Sequence, residues 1–344
     1  MKIGSIQHPK CLFFTPYYYS QRGNAITARR LVKGFKKLGM TIHVFAYEEE
    51  VWTSKWEDYL READIYHILH FKRFSNWLTK KAAHLQMNKP YIITSGGTDI
   101  NEDLKHEEVV RLVESVIDLS CAITVFSQDG YQKLINVYPE LVDKVFVIPQ
   151  SVWLPETDQS VSFQLDGSPA FLLPAGLREV KDIFYLFDEL HSLRVDYPYL
   201  TFTVVGEPLD HTILRQVNEL RKEHDWFRYI EGVPFEQMAA VYKQAEIVLN
   251  TSKSEGQSNA LLEAMYCEKL VMARRNAGNE SVITDFETGL LFDHPSEFRT
   301  KFKEIFHSNK KTELKQQAKA YIERNHSLKK EMKQFLKVYE HCLK

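Results

Sequence analysis

Residues 252–265 read Ser252-Lys-Ser-Glu255-Gly-Gln-Ser-Asn-Ala-Leu-Leu-Glu263-Ala-Met265 and follow closely on the apolar run 247–249. The apolar run predicts a buried parallel strand, and residues 259–266 have the composition of a helix. A polar loop between such a strand and helix lies at the carboxyl end of the strand, where open α/β sheets bind their ligands. The stretch therefore predicts an α/β fold with a ligand site at this loop.

The loop that opens this helix suits an anion. Free backbone N–H groups at a helix N-terminus would bind a diphosphate, and they belong here to Gly256, Gln257, Ser258 and Asn259. Glu255 precedes the helix. Glu263 lies about one turn inside it, where a carboxylate could accept two hydroxyl hydrogen bonds, for example from a ribose. These residues alone leave open an ordinary turn at Gly256 and a charged residue on an exposed helix at Glu263.

Short apolar runs alternate with longer amphipathic segments along the chain, which predicts parallel strands joined by helical crossovers. The predicted strands are residues 10–15, 41–47, 65–69, 91–94, 122–126, 145–148, 170–173, 201–205, 227–230, 247–249 and 270–273. Residues 150–169 interrupt the alternation and are rich in Pro, Ser, Thr, Asp and Gly, so a domain boundary is expected there. We predict two facing Rossmann-like, doubly wound domains, residues 1–152 and 153–325, and a helical stretch over residues 312–344.

Composition excludes several other classes of protein. Lys and Arg number 44 against 46 Asp and Glu, a net charge of −2 that gives no general attraction to nucleic acid or to an anionic membrane. Local basic clusters leave peripheral membrane association open. The scattered cysteines predict neither a zinc site nor a disulfide framework, only incidental thiols; they are Cys11, Cys121, Cys267 and Cys342. Since no apolar run reaches about 18 residues, we expect no transmembrane segment and predict a soluble cytoplasmic protein.

Three further loops that follow predicted strands carry candidate residues. In residues 173–182, Gly176 permits close backbone approach, and Arg178 and Lys181 could face one anion, such as a leaving diphosphate. Gly23 precedes a helix and could admit a phosphate or sugar. The turn Gly96-Gly-Thr-Asp99 would suit sugar hydroxyls. Ordinary solvated cations, a packing loop and a plain Asp-containing turn remain the alternatives for these three loops.

Taken together, these segments resemble the retaining family 4 glycosyltransferases, which have the GT-B fold. The pair Glu255 and Glu263 fits the family's E-x7-E signature, and the match is strongest over residues 232–292, although it covers nearly the whole chain. Residues 273–280, Ala-Arg-Arg-Asn-Ala-Gly-Asn-Glu, and the turn Gly96-Gly-Thr-Asp99 resemble more narrowly the group called glycosyltransferase 1 domain-containing proteins.

The resemblance implies an enzyme, a hexosyltransferase of the retaining, metal-independent type without a cofactor. Its donor would be a nucleotide-diphosphate sugar, UDP-linked in preference to GDP-linked, and its acceptor an unidentified glycan, lipid or small molecule. Residues 1–152 would be the acceptor side and residues 153–325 the donor-binding domain. Residues 326–344 would form a helix that returns to the first domain.

The resemblance also assigns roles to single residues. Arg178 and Lys181 would grip the diphosphate, Glu255 would face the sugar hydroxyls, and Glu263 would hold the ribose. Val233 would lie beside the base. The remaining donor contacts would come from Gly23, Gly176, Gly256, Gln257, Ser258 and Asn259.

One departure from the family's pattern concerns catalysis. Many relatives carry a histidine after the strand that ends here at Thr94, whereas this chain has Ser95, Gly96 and Gly97. Either Asp99 takes over part of that histidine's work, or a sugar contact is lost. The alternatives are therefore a catalytically silent GT-B protein that binds a nucleotide sugar or serves a partner, and a GT-B sugar-nucleotide epimerase.

Overall fold

A computed structural model describes residues 2–4, 6–95, 97–155 and 161–344. The chain divides into two compact units. Unit 1 comprises Met1–Gln150 together with Leu328–Lys344, and unit 2 comprises Ser151–Ser327. Within the described residues, no helix is both long and apolar enough to cross a membrane.

The strands and helices alternate along the chain. The strands are β1 (Lys2–Ile3), β2 (Ile6–Gln7), β3 (Lys10–Thr15), β4 (Thr41–Ala46), β5 (Ile65–Leu69), β6 (Tyr91–Thr94), β7 (Ala122–Val125), β8 (Val145–Val147), β9 (Ala170–Pro174), β10 (Thr201–Gly206), β11 (Phe227–Glu231), β12 (Ile247–Asn250), β13 (Leu270–Arg274) and β14 (Leu290–Phe292). The helices are α1 (Gly23–Lys37), α2 (Ser54–Glu62), α3 (Phe71–Lys81), α4 (Thr98–Asn101), α5 (Glu107–Asp118), α6 (Gln128–Val137), α7 (Phe187–Leu193), α8 (His211–Glu223), α9 (Met238–Gln244), α10 (Asn259–Tyr266), α11 (Ala277–Glu280), α12 (Pro295–Phe306), α13 (Lys310–Asn325) and α14 (Leu328–Cys342).

Unit 1 is a parallel six-stranded sheet in the order β4-β3-β5-β6-β7-β8. Successive side chains of a strand point to opposite faces, and in β3 both faces are buried. Phe14 packs into an apolar cluster with the α3 side chains Phe74 and Trp77, whereas Phe13 packs into a second cluster with Phe35 of α1. Burial on both faces explains the continuous apolar runs of the central strands.

The C-terminal helix α14 completes the second of these clusters, with Phe335 and Tyr339 packed against Phe35. Arg30 of α1 donates to both carboxylate oxygens of Glu331, at 3.2 and 3.1 Å, and both side chains are 1% exposed. The predicted return of the C-terminal helix to the first domain is therefore confirmed. The predicted helical stretch 312–344 consists of two helices, α13 in unit 2 and α14 in unit 1, and the break between them lies next to the predicted boundary at residues 325 and 326.

The sequence predicted no disulfide, and the structure corrects this. Cys121, directly before β7, is bonded to Cys342 of α14, with the Cα atoms 5.7 Å apart. The two cysteines are 221 residues apart in sequence, and they meet only because α14 packs on unit 1. Cys11 and Cys267 are free thiols, and burial raises the pKa of Cys11 to about 12, although a hydrogen bond from Tyr339 opposes it.

Unit 2 is also a parallel six-stranded sheet, in the order β11-β10-β9-β12-β13-β14. The chain runs outward from β9 through β10 to β11, then returns to the other side of β9 and continues through β12 to β14. The direction of winding therefore reverses between β9 and β12. In doubly wound sheets the crevice at the carboxyl ends of two such strands is the usual ligand site.

Candidate functional site

The two strands at which the winding of unit 2 reverses are followed by the charged residues that the sequence singled out. Arg178 and Lys181 lie in the loop after β9, and Glu255 lies in the loop after β12. The structure brings Lys181 and Glu255 into contact, with Lys181 Nζ 2.5 Å from Glu255 Oε1. Both side chains are mostly buried, at 17% and 12% exposure. The ion pair therefore lies at the position that the topology reserves for a ligand.

Several donors hold Glu255 as a carboxylate. Besides Lys181, the Ser252 hydroxyl donates to Oε1 at 2.7 Å and the Asn250 amide donates to it at 3.1 Å. Burial alone would raise the pKa of Glu255, but the charge of Lys181 and these hydrogen bonds outweigh it and lower the pKa below its usual value. Glu255 is therefore ionised at neutral pH.

Sequence reasoning missed Asn250, which organises this loop. Its amide group donates to the Ser258 hydroxyl at 3.0 Å as well as to Glu255, and its Oδ1 accepts from Ser252 N at 3.0 Å and from Asn279 Nδ2 at 3.2 Å. The signal was present in the sequence, because a polar residue closes the otherwise apolar strand β12. A buried Asn that uses both ends of its amide fixes the positions of its partners.

The β9 and β12 loops are joined through their backbones. Thr251 Oγ1 donates to Lys181 O at 2.9 Å, and Lys253 N donates to Val180 O at 2.9 Å. Arg178 is exposed and begins the short 3-10 turn Glu179–Lys181. Of the two cations predicted to face one anion, Lys181 is thus anchored beside Glu255, whereas Arg178 is exposed.

Two glycines allow close packing around these loops. A Cβ on Gly278 would lie 2.3 Å from the carbonyl oxygen of Glu255, and a Cβ on Gly206 would lie 2.1 Å from that of Ala175. Only glycine fits such contacts. Gly176, the glycine predicted from sequence, is less confined, since the nearest atom to its Cβ would be Leu209 Cδ1 at 3.0 Å. Gly278, which lies in the stretch 273–280, is therefore more constrained than Gly176.

The predicted phosphate-binding residues lie at the start of α10. Ser258 is the N-cap, and its hydroxyl accepts from Leu261 N at 3.4 Å. Gln257 is buried and donates to Ser281 Oγ at 3.3 Å. Gly256 and Asn259 are half-buried. The helix N-terminus is therefore formed as the sequence predicts, but the Ser258 side chain already satisfies one of its N–H groups.

Glu263 is not an exposed helix residue, since it is 6% exposed and accepts a hydrogen bond from Tyr242 Oη at 2.8 Å. Burial, and next the charge of Glu263, raise the pKa of Tyr242 well above its usual value. Val233 is buried in the same apolar cluster as Tyr242. Its backbone follows Gly232, which has a φ of 54°, and its side chain is largely occupied by packing.

The remaining predicted site residues belong to unit 1. Gly23 is the exposed first residue of α1, after β3, and nothing lies within 4 Å of a Cβ built on it. Asp99 follows β6, is fully buried, and accepts from Ser95 Oγ at 2.9 Å. Its Oδ2 lies 3.7 Å from Nδ1 of His70, which is 3% exposed. Gly96 lies outside the described residues.

Part of unit 2 is similar to a known family of proteins. Residues 168–308 match the family described as "Glycosyl transferases group 1". The protein named "Glycosyltransferase 1 domain-containing protein 1" of Xenopus tropicalis is 27% identical over 333 residues, which cover 92% of this chain and 93% of that protein. The resemblance inferred from the sequence is therefore confirmed.

Solved structures confirm the predicted fold class. HepE of Anabaena, in complex with UDP and glucose, superposes with a TM-score of 0.75 at 15% identity and covers 96% of this chain and 99% of its own. Sucrose-phosphate synthase of Thermosynechococcus elongatus gives a TM-score of 0.74 at 13% identity, with 96% and 98% covered. Such identities show the fold alone, which is GT-B, with two Rossmann-like α/β domains.

Proposed function

We propose that this protein is a retaining glycosyltransferase that uses a nucleotide-diphosphate sugar. The match to the glycosyltransferase group 1 family over residues 168–308 and the GT-B fold support this proposal. A UDP-sugar is the favoured donor. The observation that carries the proposal is the ion pair of Lys181 and Glu255, which lies where the winding of the donor-side sheet reverses. HepE, a relative in fold, was solved with UDP-glucose, which supports UDP as the first donor to test.

Lys181 and Arg178 would stabilise the negative charge of the leaving diphosphate. As the bond from the sugar to the nucleotide breaks, negative charge builds on the diphosphate, and a fixed ammonium stabilises that charge without reorganising. Glu255 and the backbone links to the β12 loop hold Lys181 in place. Arg178, exposed at the margin, adds a second cation. These two residues are the basis for proposing a metal-independent reaction.

The carboxylates would accept hydrogen bonds from the hydroxyl groups of the donor. Glu255 is ionised and can accept from sugar hydroxyls, and Glu263 can accept from the ribose if it exchanges or shares its bond with Tyr242. Backbone N–H groups of Gly256 to Asn259 would bind the phosphates, and Gly176 and Gly23 would admit them closely. Val233 would contribute its backbone and β-carbon beside the base, because its side chain is packed in the core.

Transfer with retention would use one face of the sugar. The acceptor hydroxyl would approach from the side that the diphosphate leaves, and the departing phosphate oxygen would take its proton. Asp99 is the unit 1 residue proposed to contact the sugar. Its carboxylate is held by Ser95 in the turn where many relatives carry a histidine. The cytoplasmic location remains a prediction from the sequence.

The absence of a histidine from the turn after β6 favours a second possible function, in which the protein binds the nucleotide sugar without catalysing transfer. Without the histidine, the donor site of unit 2 could bind normally while transfer is absent. Binding and turnover therefore have to be measured separately.

The binding test is a thermal-shift screen of the full chain with UDP-, GDP-, ADP- and dTDP-sugars and the free diphosphates. A ligand at 100 times its Kd stabilises the folded state by about 2.7 kcal/mol, so a clear rise in Tm with UDP is expected. Lys181→Gln should lose most of that rise. Lys253→Gln, a control lysine of the neighbouring loop that is 48% exposed, should keep it. If no nucleoside diphosphate shifts the Tm, the donor-site proposal is wrong.

The turnover test is slow hydrolysis of the donor in the absence of an acceptor. Glu255→Ala and Lys181→Ala should each abolish hydrolysis while circular dichroism shows a folded chain. Normal hydrolysis by both variants would refute the assigned roles. Binding of UDP-sugar by the natural chain without any hydrolysis or transfer would establish the silent alternative.

A further inference from the structure

We propose that unit 1 carries an anion-binding site at the carboxyl edge of its sheet, formed by Arg22 and Arg73 around the ring of Tyr17, and that it binds the phosphate or carboxylate of an acidic acceptor. That the ligand is an acceptor rests on the proposed function. The existence of the anion site rests on unit 1 alone.

Tyr17 is the platform on which the two arginines meet. The guanidinium carbon of Arg22 lies 4.3 Å from the ring centroid and that of Arg73 lies 5.6 Å from it. Arg73 Nη1 also donates to Tyr17 Oη at 3.2 Å. Stacking on a ring orients a guanidinium and leaves N–H groups at its edge for a ligand. Two cations that share one ring repel each other, and an anion between them removes the repulsion.

The loop that carries Tyr17 is fixed in place. Thr15 Oγ1 donates to Tyr17 O at 2.9 Å. The carboxylate of Glu49 accepts the next three backbone N–H groups, Tyr18 to Ser20, at 2.7, 2.9 and 3.1 Å. These bonds lower the pKa of Glu49 in spite of its partial burial, which acts to raise it. The platform therefore does not have to be ordered by the ligand.

Both arginines stand at helix N-termini, where a cation is unfavourable. Arg22 is the N-cap of α1 and Arg73 is the third residue of α3. Neither helix has an acidic residue in its first turn or a side chain that caps it. The positive ends of two helix dipoles and two guanidinium groups thus lie at neighbouring strand ends, β3 and β5. An external anion would be stabilised by both helix N-termini and by the positive charge of both arginines.

A buried polar atom at the same helix start makes no hydrogen bond. His70, the N-cap of α3, is 3% exposed, and its Nδ1 makes no hydrogen bond with a described residue. Its backbone is left-handed, at φ 72° and ψ 88°, which is costly for a residue other than glycine. Asp99 Oδ2 lies 3.7 Å from this nitrogen, beyond hydrogen-bond distance. The helix start beside Arg73 therefore combines a strained backbone with a buried polar atom that has no hydrogen bond, and such exceptions are often found at functional sites.

Three carboxylates near this edge are already engaged. Glu49 binds the loop, Asp99 accepts from Ser95, and Asp103 pairs with Lys72 at 2.6 Å. Within the part of the chain that the structure describes, Arg73 has no carboxylate within ion-pair distance. A guanidinium fork matches the oxygens of a phosphate or a carboxylate, which defines the class of ligand.

The experiment is calorimetric titration of the full chain, saturated with UDP so that the donor site is filled. The probes are glucose 6-phosphate, glucuronate and glucose. At least one anionic sugar should bind and glucose should not. Loss of a charge-assisted hydrogen-bonding group weakens binding by about tenfold or more, so Arg73→Gln and Arg22→Gln should each raise the Kd by at least that factor. Arg111→Gln, a control on α5 that is 73% exposed, should leave the Kd unchanged.

Several outcomes would overturn the site. The proposal is wrong if neither anionic sugar binds, or if glucose binds as tightly as the anionic sugars. It is also wrong if Arg73→Gln and Arg22→Gln both keep the Kd of the natural chain. If Lys181→Gln abolishes binding of the anionic sugar in the absence of UDP and the arginine variants do not, the anion occupies the donor site and the proposal is wrong. Arg73→Lys, which keeps the charge without the fork, should retain part of the affinity. If UDP itself fails to bind, titration without UDP still tests the anion site, while the proposed function fails on its own.

Discussion

Replacing Lys181 by methionine should destabilise unit 2 in a manner that depends on pH. The substitution keeps a side chain of similar length and removes the charge that lies 2.5 Å from Glu255 Oε1. Glu255 would then be a mostly buried carboxylate that keeps the Ser252 and Asn250 donors but has lost the ammonium charge. The charge of Lys181 is the largest influence that lowers the pKa of Glu255, so without it burial should raise that pKa.

The expected loss is about 2 kcal/mol of unfolding free energy at pH 8. Breaking a fully buried ion pair costs about 3–5 kcal/mol, and two remaining hydrogen bonds of about 1 kcal/mol each reduce that figure. In the natural chain the lowered pKa of Glu255 contributes stability above its unfolded pKa, and this is lost as pH falls through the folded pKa. In Lys181→Met the sign is reversed, because the raised pKa makes the ionised form costly, and protonation relieves the cost as pH falls.

Urea unfolding at pH 8 and pH 5 measures both effects. The deficit of Lys181→Met should be smaller at pH 5 than at pH 8. Glu255→Gln introduced into the same variant should restore about 1 kcal/mol or more at pH 8. Lys253→Met, whose lysine is 48% exposed, should change stability by less than about 0.5 kcal/mol. An equal deficit at both pH values, with no recovery in the double variant, would refute the view that Lys181 compensates a buried charge.

Three further outcomes are expected. Gly278→Ala places a Cβ 2.3 Å from the Glu255 carbonyl oxygen, so it should cost about 1–3 kcal/mol and reduce the Tm rise with UDP; an unchanged rise would contradict the tight packing. Arg30→Met should cost about 3 kcal/mol or more, because it leaves Glu331 buried without its partner, and Arg30→Met with Glu331→Leu should recover most of that loss in urea unfolding. Burial lowers the pKa of His67 to about 3, so the unfolded chain binds one more proton than the folded chain between pH 6.5 and pH 3. His67 should therefore reduce stability as pH falls through this window, by up to about 1.4 kcal/mol per pH unit, and His67→Gln should lower that slope by one proton.

The strands were the most predictable elements. The predicted bounds of β3 and β5 coincide with the observed ones, because strands buried on both faces require continuous apolar residues between polar ends. Helix α7 begins only at Phe187. The residues before it belong to the β9 loop, where Asp182 is left-handed at φ 44° and pairs with Arg274. Local periodicity carries no information about such loop contacts.

The stretch 312–344 is helical as predicted, but it is divided between two cores. Its apolar residues keep helical spacing through the break, although Ala318 and Ile322 pack in unit 2 and Phe335 and Tyr339 pack in unit 1. Spacing predicts an apolar face but not which core that face joins. For the same reason, no pattern in the sequence could pair Cys121 with Cys342.

At the candidate site, the sequence predicted residues and their loops but not their partners. From their charges and their positions after strand ends, Lys181 and Glu255 were each predicted to contact a ligand. The structure shows that they also bind each other. Asn250 and Gly278 were missed because their importance lies in hydrogen bonds and backbone distances that arise only when three strand ends are brought together.

The path of the chain has a consequence for synthesis. Unit 2 is inserted between β8 and α14 of unit 1, so the last seventeen residues, Leu328–Lys344, supply Glu331, Phe335 and Tyr339 to a core that begins at β3. A chain leaving the ribosome therefore has all of unit 2 available to fold before unit 1 can be completed. Until then the partner surfaces of α14 around Arg30, Phe35 and His67 stay uncovered. The first unit to be translated is the last to be finished.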